Sequence, residues 1–176
     1  MYGIASRPAF DDPLELLAAA HGRIDAQLGA LENLSEHVAT HGADAQARDS
    51  ARFLIHYFDT SAFQHHRDED EDLFPLLRTL AGERGRPEIA ALINDIEGEH
   101  ATMDEQWSRL RDRLQSIALA RGARLDIEEV ARFAWLYRRH MAAESASLLP
   151  FAKETLTTEE RARLAKSMAA RRAKSA

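Results

Sequence analysis

The chain has 176 residues, no cysteine and a formal net charge of −6. That length is enough for one domain with its own hydrophobic core. The lack of cysteine excludes disulfides, iron–sulfur ligation and thiol nucleophiles, and leaves His, Asp and Glu as the strong metal ligands. The negative charge argues against a nucleic-acid partner. We expect a cytoplasmic protein without a membrane partner, because neither a spanning apolar run nor a secretory signal is recognisable.

The pattern of apolar residues predicts an all-α protein. Apolar side chains recur at intervals of three and four, and β-branched residues are few. Asp12 followed by Pro13 predicts the start of a first helix that ends near Gly42. A second helix is expected from about Asp44, and Pro75 should kink or end it because proline removes a backbone hydrogen bond.

The second half of the chain contains further helix boundaries. A third helix should open at Pro87, and Asp126 is a candidate cap for a fourth helix whose apolar stripe extends to Leu148, before Pro150. Thr157 and Glu160 could form a capping box for a short fifth helix. Its basic end we interpret as solvated.

Four long amphipathic helices with short connections predict an antiparallel up-down four-helix bundle with a short C-terminal extra helix. Each of the four helices carries one histidine on its apolar stripe. We therefore divide the chain into three parts, an N-terminal arm, the bundle, and a C-terminal helix with a basic tail: 1–11, 12–151 and 152–176.

One pattern, His-x-x-x-Glu followed by Leu and then Pro, occurs twice at a constant interval. The first copy holds His65 and Glu69, and the second holds His140 and Glu144. Residues four apart lie on the same face of an α-helix, about one turn apart. Each pair can therefore offer a nitrogen and a carboxylate to one metal ion.

The register of the first copy has an alternative, because His65 is followed by a second histidine. His66 would pair with Asp70, whereas His65 pairs with Glu69 and keeps the interval to the second copy. We therefore choose His65. The acidic run 68–72 is otherwise interpreted as a solvated face. Four histidines are taken as non-ligands: His37, His41, His56 and His66.

Two further histidines lie within apolar stripes, His21 on the first helix and His100 on the third. A single histidine in such a place is usually a hydrogen-bonded core residue. Four of them with two glutamates at one level of a bundle would leave several buried charges without a partner. Metal ions would supply the counter-charge. The candidate ligands are His21, His65, Glu69, His100, His140 and Glu144.

The order of these motifs resembles the hemerythrin-like (HHE cation-binding) domain over about residues 12 to 151. The order is His, His-x-x-x-Glu, His, His-x-x-x-Glu, with Leu-Phe-Pro and Leu-Leu-Pro after the two pairs. The resemblance implies two iron ions (Fe²⁺/Fe³⁺) with an oxo or hydroxo bridge, held by the four histidines and bridged by the two glutamates. The donor types alone would also suit manganese or zinc.

The chain departs from the oxygen-carrying members of that family, which have His-x-x-x-His on the third helix. Here His100 is followed by Asp104, and His21 is likewise followed by Asp25. Each aspartate could be a surface residue, could orient an imidazole through its outer ring nitrogen, or, least expected, could bind metal. The tyrosines near the histidine stripes could bond a metal-bound species or pack in the core: Tyr57 and Tyr137.

Three functions remain open at this point. A di-iron protein with an open coordination position could bind or reduce dioxygen, nitric oxide or peroxide, in stress or in oxygen and iron sensing. An iron sensor or iron donor without turnover, with a protein redox or signalling partner, is the alternative. The third possibility is a helical bundle without metal. The missing histidine after His100 fits poorly with reversible oxygen carriage, and the sequence does not decide whether the protein is an enzyme.

Overall fold

The computed structural model describes residues 12–122 and 124–173, so the predicted N-terminal arm lies outside the described residues. Within them the chain is helical without a strand, as predicted. Two of the helices include π-helical turns within their limits. The helices are α1 (Pro13–His41), α2 (45–83), α3 (Pro87–Ala118), α4 (127–155) and α5 (Thr158–Ala173).

The predicted capping residues set the starts of four helices. Asp12, Asp44 and Asp126 each accept a hydrogen bond from a backbone N–H in the first turn of α1, α2 and α4. At α5, Glu160 Oε2 accepts from the backbone N–H of Thr157 at 2.8 Å, and Thr157 Oγ1 accepts from that of Glu160 at 3.2 Å. This reciprocal pair is the predicted capping box.

Neither proline of the repeated motif ends its helix. α2 continues beyond Pro75, so of the predicted kink or end the end is wrong, and α4 likewise continues beyond Pro150 to residue 155. A π-helical turn precedes each proline and takes an extra residue, which absorbs the missing backbone hydrogen bond. The π-helical turns are Phe58–Ala62 and Glu69–Leu73 in α2 and Glu144–Leu148 in α4.

The first four helices form a closed ring of neighbours. α1 packs against α2 and α4, and α3 packs against the same two helices. The predicted all-α bundle is confirmed, and this ring is the one expected of an up-down order. None of the described helices is long and apolar enough to cross a membrane.

The buried apolar side chains form two separate clusters. Along α1 the change from one cluster to the other falls between Leu17 and Ile24, and along α3 it falls between Ile96 and Met103. α2 and α4 pass through the clusters in the opposite order. Buried histidines and glutamates occupy the level at which every helix changes cluster.

α5 packs across α1 and the central part of α2, and it is anchored by charge. Arg171 and Arg172 both donate to the carboxylate of Asp68, which is fully buried, and Arg171 also donates to Asp72 at 2.6 Å. The acidic run and the basic end of α5 were predicted to be solvated. That prediction is wrong for Asp68 and Arg171, which are largely buried against each other, whereas Arg172 remains about half exposed.

Candidate metal centre

The polar layer between the two apolar clusters contains all six candidate ligands. They come from four helices, yet each is at most 8% exposed. Their role as ligands stays a prediction, but the structure brings them together as the sequence analysis requires: His21, His65, Glu69, His100, His140 and Glu144.

Four of these residues form a first group, in which one donor atom from each lies within 4.8 Å of all the others. They are His21, His65, Glu69 and Glu144. His21 Nε2 lies 3.1 Å from Glu144 Oε2, and His65 Nε2 lies 3.3 Å from Glu69 Oε1. Two imidazole nitrogens and two carboxylate oxygens are a donor set that could hold an iron, manganese or zinc ion.

A second group meets the same criterion and contains His100 and His140 with the same two glutamates. His140 Nε2 lies 3.3 Å from Glu144 Oε1, and His100 Nε2 lies 3.6 Å from Glu69 Oε2. Each glutamate thus turns one oxygen towards each pair of histidines. The two carboxylates lie between the imidazole pairs, in the position of bridging ligands.

The π-helical turns explain how residues at a strict spacing of four stay in one buried layer. In an α-helix four residues turn through about 400°, so such a series drifts by about 40° at every step. A π-helical turn holds more residues per turn and cancels part of that drift. Glu69 and Glu144 each begin a π-helical turn, and the leucine four residues after each glutamate is again buried.

Carboxylates on neighbouring helices accept hydrogen bonds from the outer ring nitrogens of two of the imidazoles. His100 donates its Nδ1–H to Asp70 Oδ1 at 2.8 Å, and His140 donates its Nδ1–H to Glu99 Oε2 at 3.1 Å. Because Nδ1 is engaged outwards, Nε2 of each ring is directed to the centre of the layer. A carboxylate behind a histidine is a common support for a metal ligand, since it fixes both the ring plane and the tautomer.

A hydroxyl group supports a third ring, since His21 Nδ1 lies 3.2 Å from Ser145 Oγ. Sequence reasoning missed all three supporting residues, although each is next in sequence to a candidate ligand. A residue beside an inward-pointing one is turned by about 100°, and therefore faces the adjacent helix. That adjacency is the signal that could have found them: Asp70, Glu99 and Ser145.

The two aspartates predicted as possible supports lie elsewhere. Asp25 accepts from Arg138 Nε at 2.7 Å and is more than half exposed, so the surface alternative fits it. Asp104 is also an exposed residue, and it borders a cavity beside the histidine layer. Partial desolvation raises the pKa of Asp104. The structure brings neither aspartate to the outer nitrogen of its predicted histidine partner.

His66, which was predicted only as a non-ligand, is buried within the layer. Its ring stacks on His100, with centroids 4.0 Å apart and planes at 18°, and Tyr137 lies 5.4 Å away, nearly parallel. His66 forms a third group of close donor atoms with His100 and His140. Side chains that are adjacent in sequence point about 100° apart around a helix, and the buried face of α2 is wide enough to include both His65 and His66.

The sequence matches a known protein family over most of its length. The model of the hemerythrin HHE cation binding domain matches residues 12–152. The chain belongs to this family. It is also similar to an uncharacterized protein of Haemophilus influenzae, with 28% identity over 163 residues that cover 93% of this chain and 91% of that protein. The predicted resemblance is confirmed, and the chain is a metal-binding hemerythrin-like protein.

Several buried polar atoms of the HHE domain have no hydrogen-bond partner among the described residues. Unpaired polar atoms are costly in a protein interior and are correspondingly rare. Metal ions at the two groups of donors would give these atoms partners, so the residues fit the cation that the family binds. Among the six candidate ligands, the buried atoms without a well-aligned hydrogen bond are His21 Nε2, both ring nitrogens of His65, Glu69 Oε2 and both carboxylate oxygens of Glu144, although His21 Nε2 and Glu144 Oε2 lie only 3.1 Å apart.

The charges of the layer also fit an HHE centre. Burial, and then the nearby Glu144, raise the pKa of Glu69 well above its usual range. Burial acts in the same direction on Glu144, but the imidazoles of His140 and His21 outweigh it and lower the pKa of that carboxyl. Burial lowers the pKa of His65 to about 3. His65 is therefore neutral at physiological pH, which is the form that binds a metal ion.

Two cavities reach the layer of the HHE domain from different sides. One, of about 230 Å³, is bordered by His66, Asp104 and Tyr137. The other, of about 240 Å³, is bordered by Tyr57 and His65. A water molecule takes roughly 30 Å³ of liquid volume, so each cavity has room for a small molecule. The two predicted tyrosines thus border the routes by which a small ligand could approach.

Proposed function

We propose that the HHE domain holds two iron ions side by side and there binds or reduces a small ligand, dioxygen, nitric oxide or peroxide, under oxidative or nitrosative stress. One observation carries the proposal. Glu69 and Glu144 each turn one oxygen to the pair His21 and His65 and the other to the pair His100 and His140. Carboxylates placed in this way could each bind two ions, one through each oxygen.

The chain's own side chains would hold the ions and keep them accessible. His21 and His65 would bind one ion and His100 and His140 the other, with Glu69 and Glu144 shared. Bound iron supplies redox activity and, with four protein donors in an octahedral ion, positions for a further ligand. Apolar clusters lie above and below the layer, and the two cavities border it from the sides.

Iron is proposed because the chain belongs to a family that binds a cation at this motif. The nitrogen and oxygen donors would accept manganese or zinc as well. Metal analysis of the purified protein distinguishes these ions, and predominance of zinc would contradict the redox part of the proposal.

A second function, an iron sensor or iron donor without turnover, is favoured by the unpaired polar atoms. Because a bound ion would stabilise these atoms, the folded state should be more stable when loaded. Such a protein would pass its signal or its iron to a protein partner. Repeated exposure to an oxidant with an added reductant separates the functions, since only the reactive protein consumes many equivalents of ligand.

The primary test is anaerobic loading with ferrous iron, followed by metal analysis and optical spectra before and after dioxygen, nitric oxide or peroxide. We expect about two ions per chain and a new absorption band with at least one ligand. His56→Ala, at an exposed histidine of α2, is the matched control and should behave as the wild type. Fewer than two ions, or no spectral change with any ligand, would contradict the proposal.

A further inference from the structure

We propose that His66 donates a hydrogen bond from Nε2 to a neutral diatomic ligand, nitric oxide or dioxygen, held beside His100 and His140. His66 is then a specificity-determining residue and not a metal ligand. This inference rests on the proposed function and selects one class among its ligands. Three observations carry it: the plane of the His66 ring, its buried nitrogen, and the wall of the cavity that it borders.

The ring of His66 lies parallel to that of His100 and not in line with it. The two centroids are 4.0 Å apart, and the planes differ by 18°. A metal ion binds an imidazole within the plane of the ring, along the lone pair of the nitrogen. Two rings stacked face to face therefore cannot both direct a nitrogen at one ion. Neither glutamate belongs to the group that contains His66. His66 thus lies beside the second group of donors and not within it.

The hydrogen bonding of His66 leaves a donor position open. Its Nε2 is buried and has no hydrogen-bond partner among residues 12–122 and 124–173. A core histidine normally has one, because an unpaired buried nitrogen loses its water contacts without compensation. A ring nitrogen of His66 lies within 4.8 Å of ring nitrogens of both His100 and His140. The tautomer with its hydrogen on Nε2 would therefore offer an N–H group to a small ligand at the second group.

The neighbours of His66 fix the orientation of this donor. The ring is stacked on His100 and is also nearly parallel to that of Tyr137, with centroids 5.4 Å apart. Such packing leaves few alternative rotamers, so the donor loses little conformational entropy when a ligand binds. A fixed N–H group favours a ligand that has an acceptor atom at one particular place.

The cavity that His66 borders favours a neutral ligand. Its charged residues are Asp59, Asp104 and Arg111, and Arg111 is already paired with Asp59 at 2.8 Å. No cation among the described residues of this wall is therefore left to attract an anion. Nitric oxide and dioxygen are neutral and weakly polar, and both suit a largely apolar wall with one hydrogen-bond donor better than a strongly hydrated peroxide does. The aromatic residues of the wall are Phe58, Phe63, Trp107 and Tyr137.

The test compares nitric oxide complexes of iron-loaded wild type, His66→Phe and His66→Gln, with His56→Phe as the control at an exposed histidine. Phenylalanine keeps an aromatic ring in the stack but removes the N–H group, and glutamine supplies an amide donor instead. We expect about two ions per chain in all four proteins. Nitric oxide should dissociate about two- to ten-fold faster from His66→Phe, because one net hydrogen bond is lost. His66→Gln should restore slow dissociation.

Infrared spectra of the same complexes give a readout that a purely structural role of His66 would not produce. A hydrogen bond to the oxygen of nitric oxide draws electron density into its antibonding orbital and lowers the N–O stretching frequency. The frequency should therefore rise in His66→Phe and return towards the wild-type value in His66→Gln. In the wild type it should also shift when D₂O replaces the N–H hydrogen with deuterium.

Each outcome separates this inference from the proposed function. Equal dissociation rates and frequencies in the wild type and His66→Phe, with two ions in each, would overturn the inference and leave the proposed function intact. A wild type that reacts with peroxide alone would do the same. Loss of an ion in His66→Phe would show that His66 is a ligand and would also overturn the inference.

Fewer than two ions in the wild type, or no spectral change with any ligand, would overturn both proposals. If His66→Phe does not fold, the wild type decides the matter, because its N–O stretching frequency is expected to shift in D₂O. An unchanged frequency would overturn the inference.

Discussion

At the scale of single residues, the sites next to the candidate ligands matter as much as the ligands. Asp70 follows Glu69 in sequence but supports His100 on another helix, and Glu99 precedes His100 but supports His140. At both places, one residue is a candidate ligand and its neighbour in sequence supports a histidine on another helix. A hydrogen bond to the outer ring nitrogen of an imidazole fixes the orientation of the ring and raises its basicity as a metal ligand.

Asp70→Asn tests this support. The amide has the shape of the carboxylate but not its charge, so His100 keeps a weaker acceptor and the affinity for metal should fall by about 10- to 100-fold. Iron titration followed by competition with a chelator measures the change. Asp25→Asn removes a carboxylate that pairs with Arg138 on the surface, and should leave affinity unchanged. Equal affinities for the two variants would contradict the assigned role.

The pH dependence of the metal-free protein tests the burial of His65. Burial lowers its pKa from 6.5 to about 3, so the folded chain keeps it neutral while the unfolded chain takes up a proton below pH 6.5. The stability from this group is therefore complete above pH 6.5 and is lost as the pH falls towards 3, by about 1.4 kcal/mol per unit.

Urea unfolding of metal-free wild type and His65→Gln isolates that contribution. The advantage of the wild type in free energy of unfolding should shrink by about 2 kcal/mol between pH 6.5 and about pH 5. Effects of the other titrating groups are common to both proteins and cancel in the comparison. An advantage that does not change with pH would show that His65 is not held neutral.

Sequence reasoning placed the six candidate ligands in one buried layer, because each lies on the apolar stripe of its helix. Their role as ligands stays a prediction. The sequence did not indicate that His66 is buried beside them, or which residues support the imidazoles. The interval to the second copy selects His65 as the candidate ligand, but it does not show whether the bundle interior also contains His66, as it does. The partner of a ring nitrogen depends on helix packing, which the spacing along one helix does not contain.

At the scale of helices, local rules predicted the starts and long-range contacts decided the rest. Asp12, Asp44 and Asp126 cap helices through contacts within three residues, so the sequence sufficed. The continuation of α2 through Pro75 follows a π-helical turn, Glu69–Leu73, which the spacing of apolar residues does not predict. The docking of α5 depends on Asp68, whose partners are about 100 residues away.

Asp68→Asn tests the docking of α5 on α2. Asp68 is fully buried and accepts hydrogen bonds from Arg171 and Arg172, so the variant removes the carboxylate that both share, while Arg171 keeps Asp72 and Glu71 as partners. Breaking such a buried pair should lower the free energy of unfolding by about 2–4 kcal/mol, since the partial exposure of Arg172 reduces the usual cost. Urea denaturation measures the change.

A matched control is Asp49→Asn, which removes the carboxylate of an exposed pair with Arg52. Surface pairs contribute about 0–1 kcal/mol, so this variant should stay close to the wild type. Equal losses in Asp49→Asn and Asp68→Asn would indicate that α5 is not anchored by the buried carboxylate.

At the scale of the whole molecule, the HHE domain is two apolar clusters joined through a polar layer. The apolar clusters can fold by ordinary burial, but the layer contains buried histidines and glutamates with unpaired atoms. The metal-free protein therefore carries a cost in its centre that ions would remove.

Iron loading should accordingly stabilise the whole bundle. A ligand at 100 times its dissociation constant stabilises the folded state by about 2.7 kcal/mol, which corresponds to a rise in Tm of roughly 5–10 °C for a domain of this size. Calorimetry of loaded and metal-free protein measures the shift. Glu144→Gln, which removes a shared carboxylate, should show a much smaller shift, whereas an equal shift would contradict the role of Glu144.

The most direct test of the two-ion centre is a crystal structure of the iron-loaded protein with anomalous diffraction at the iron absorption edge. We predict two anomalous peaks in the polar layer, one between His21 and His65 and one between His100 and His140, with Glu69 and Glu144 reaching both. A single peak, or peaks outside the layer, would contradict the account.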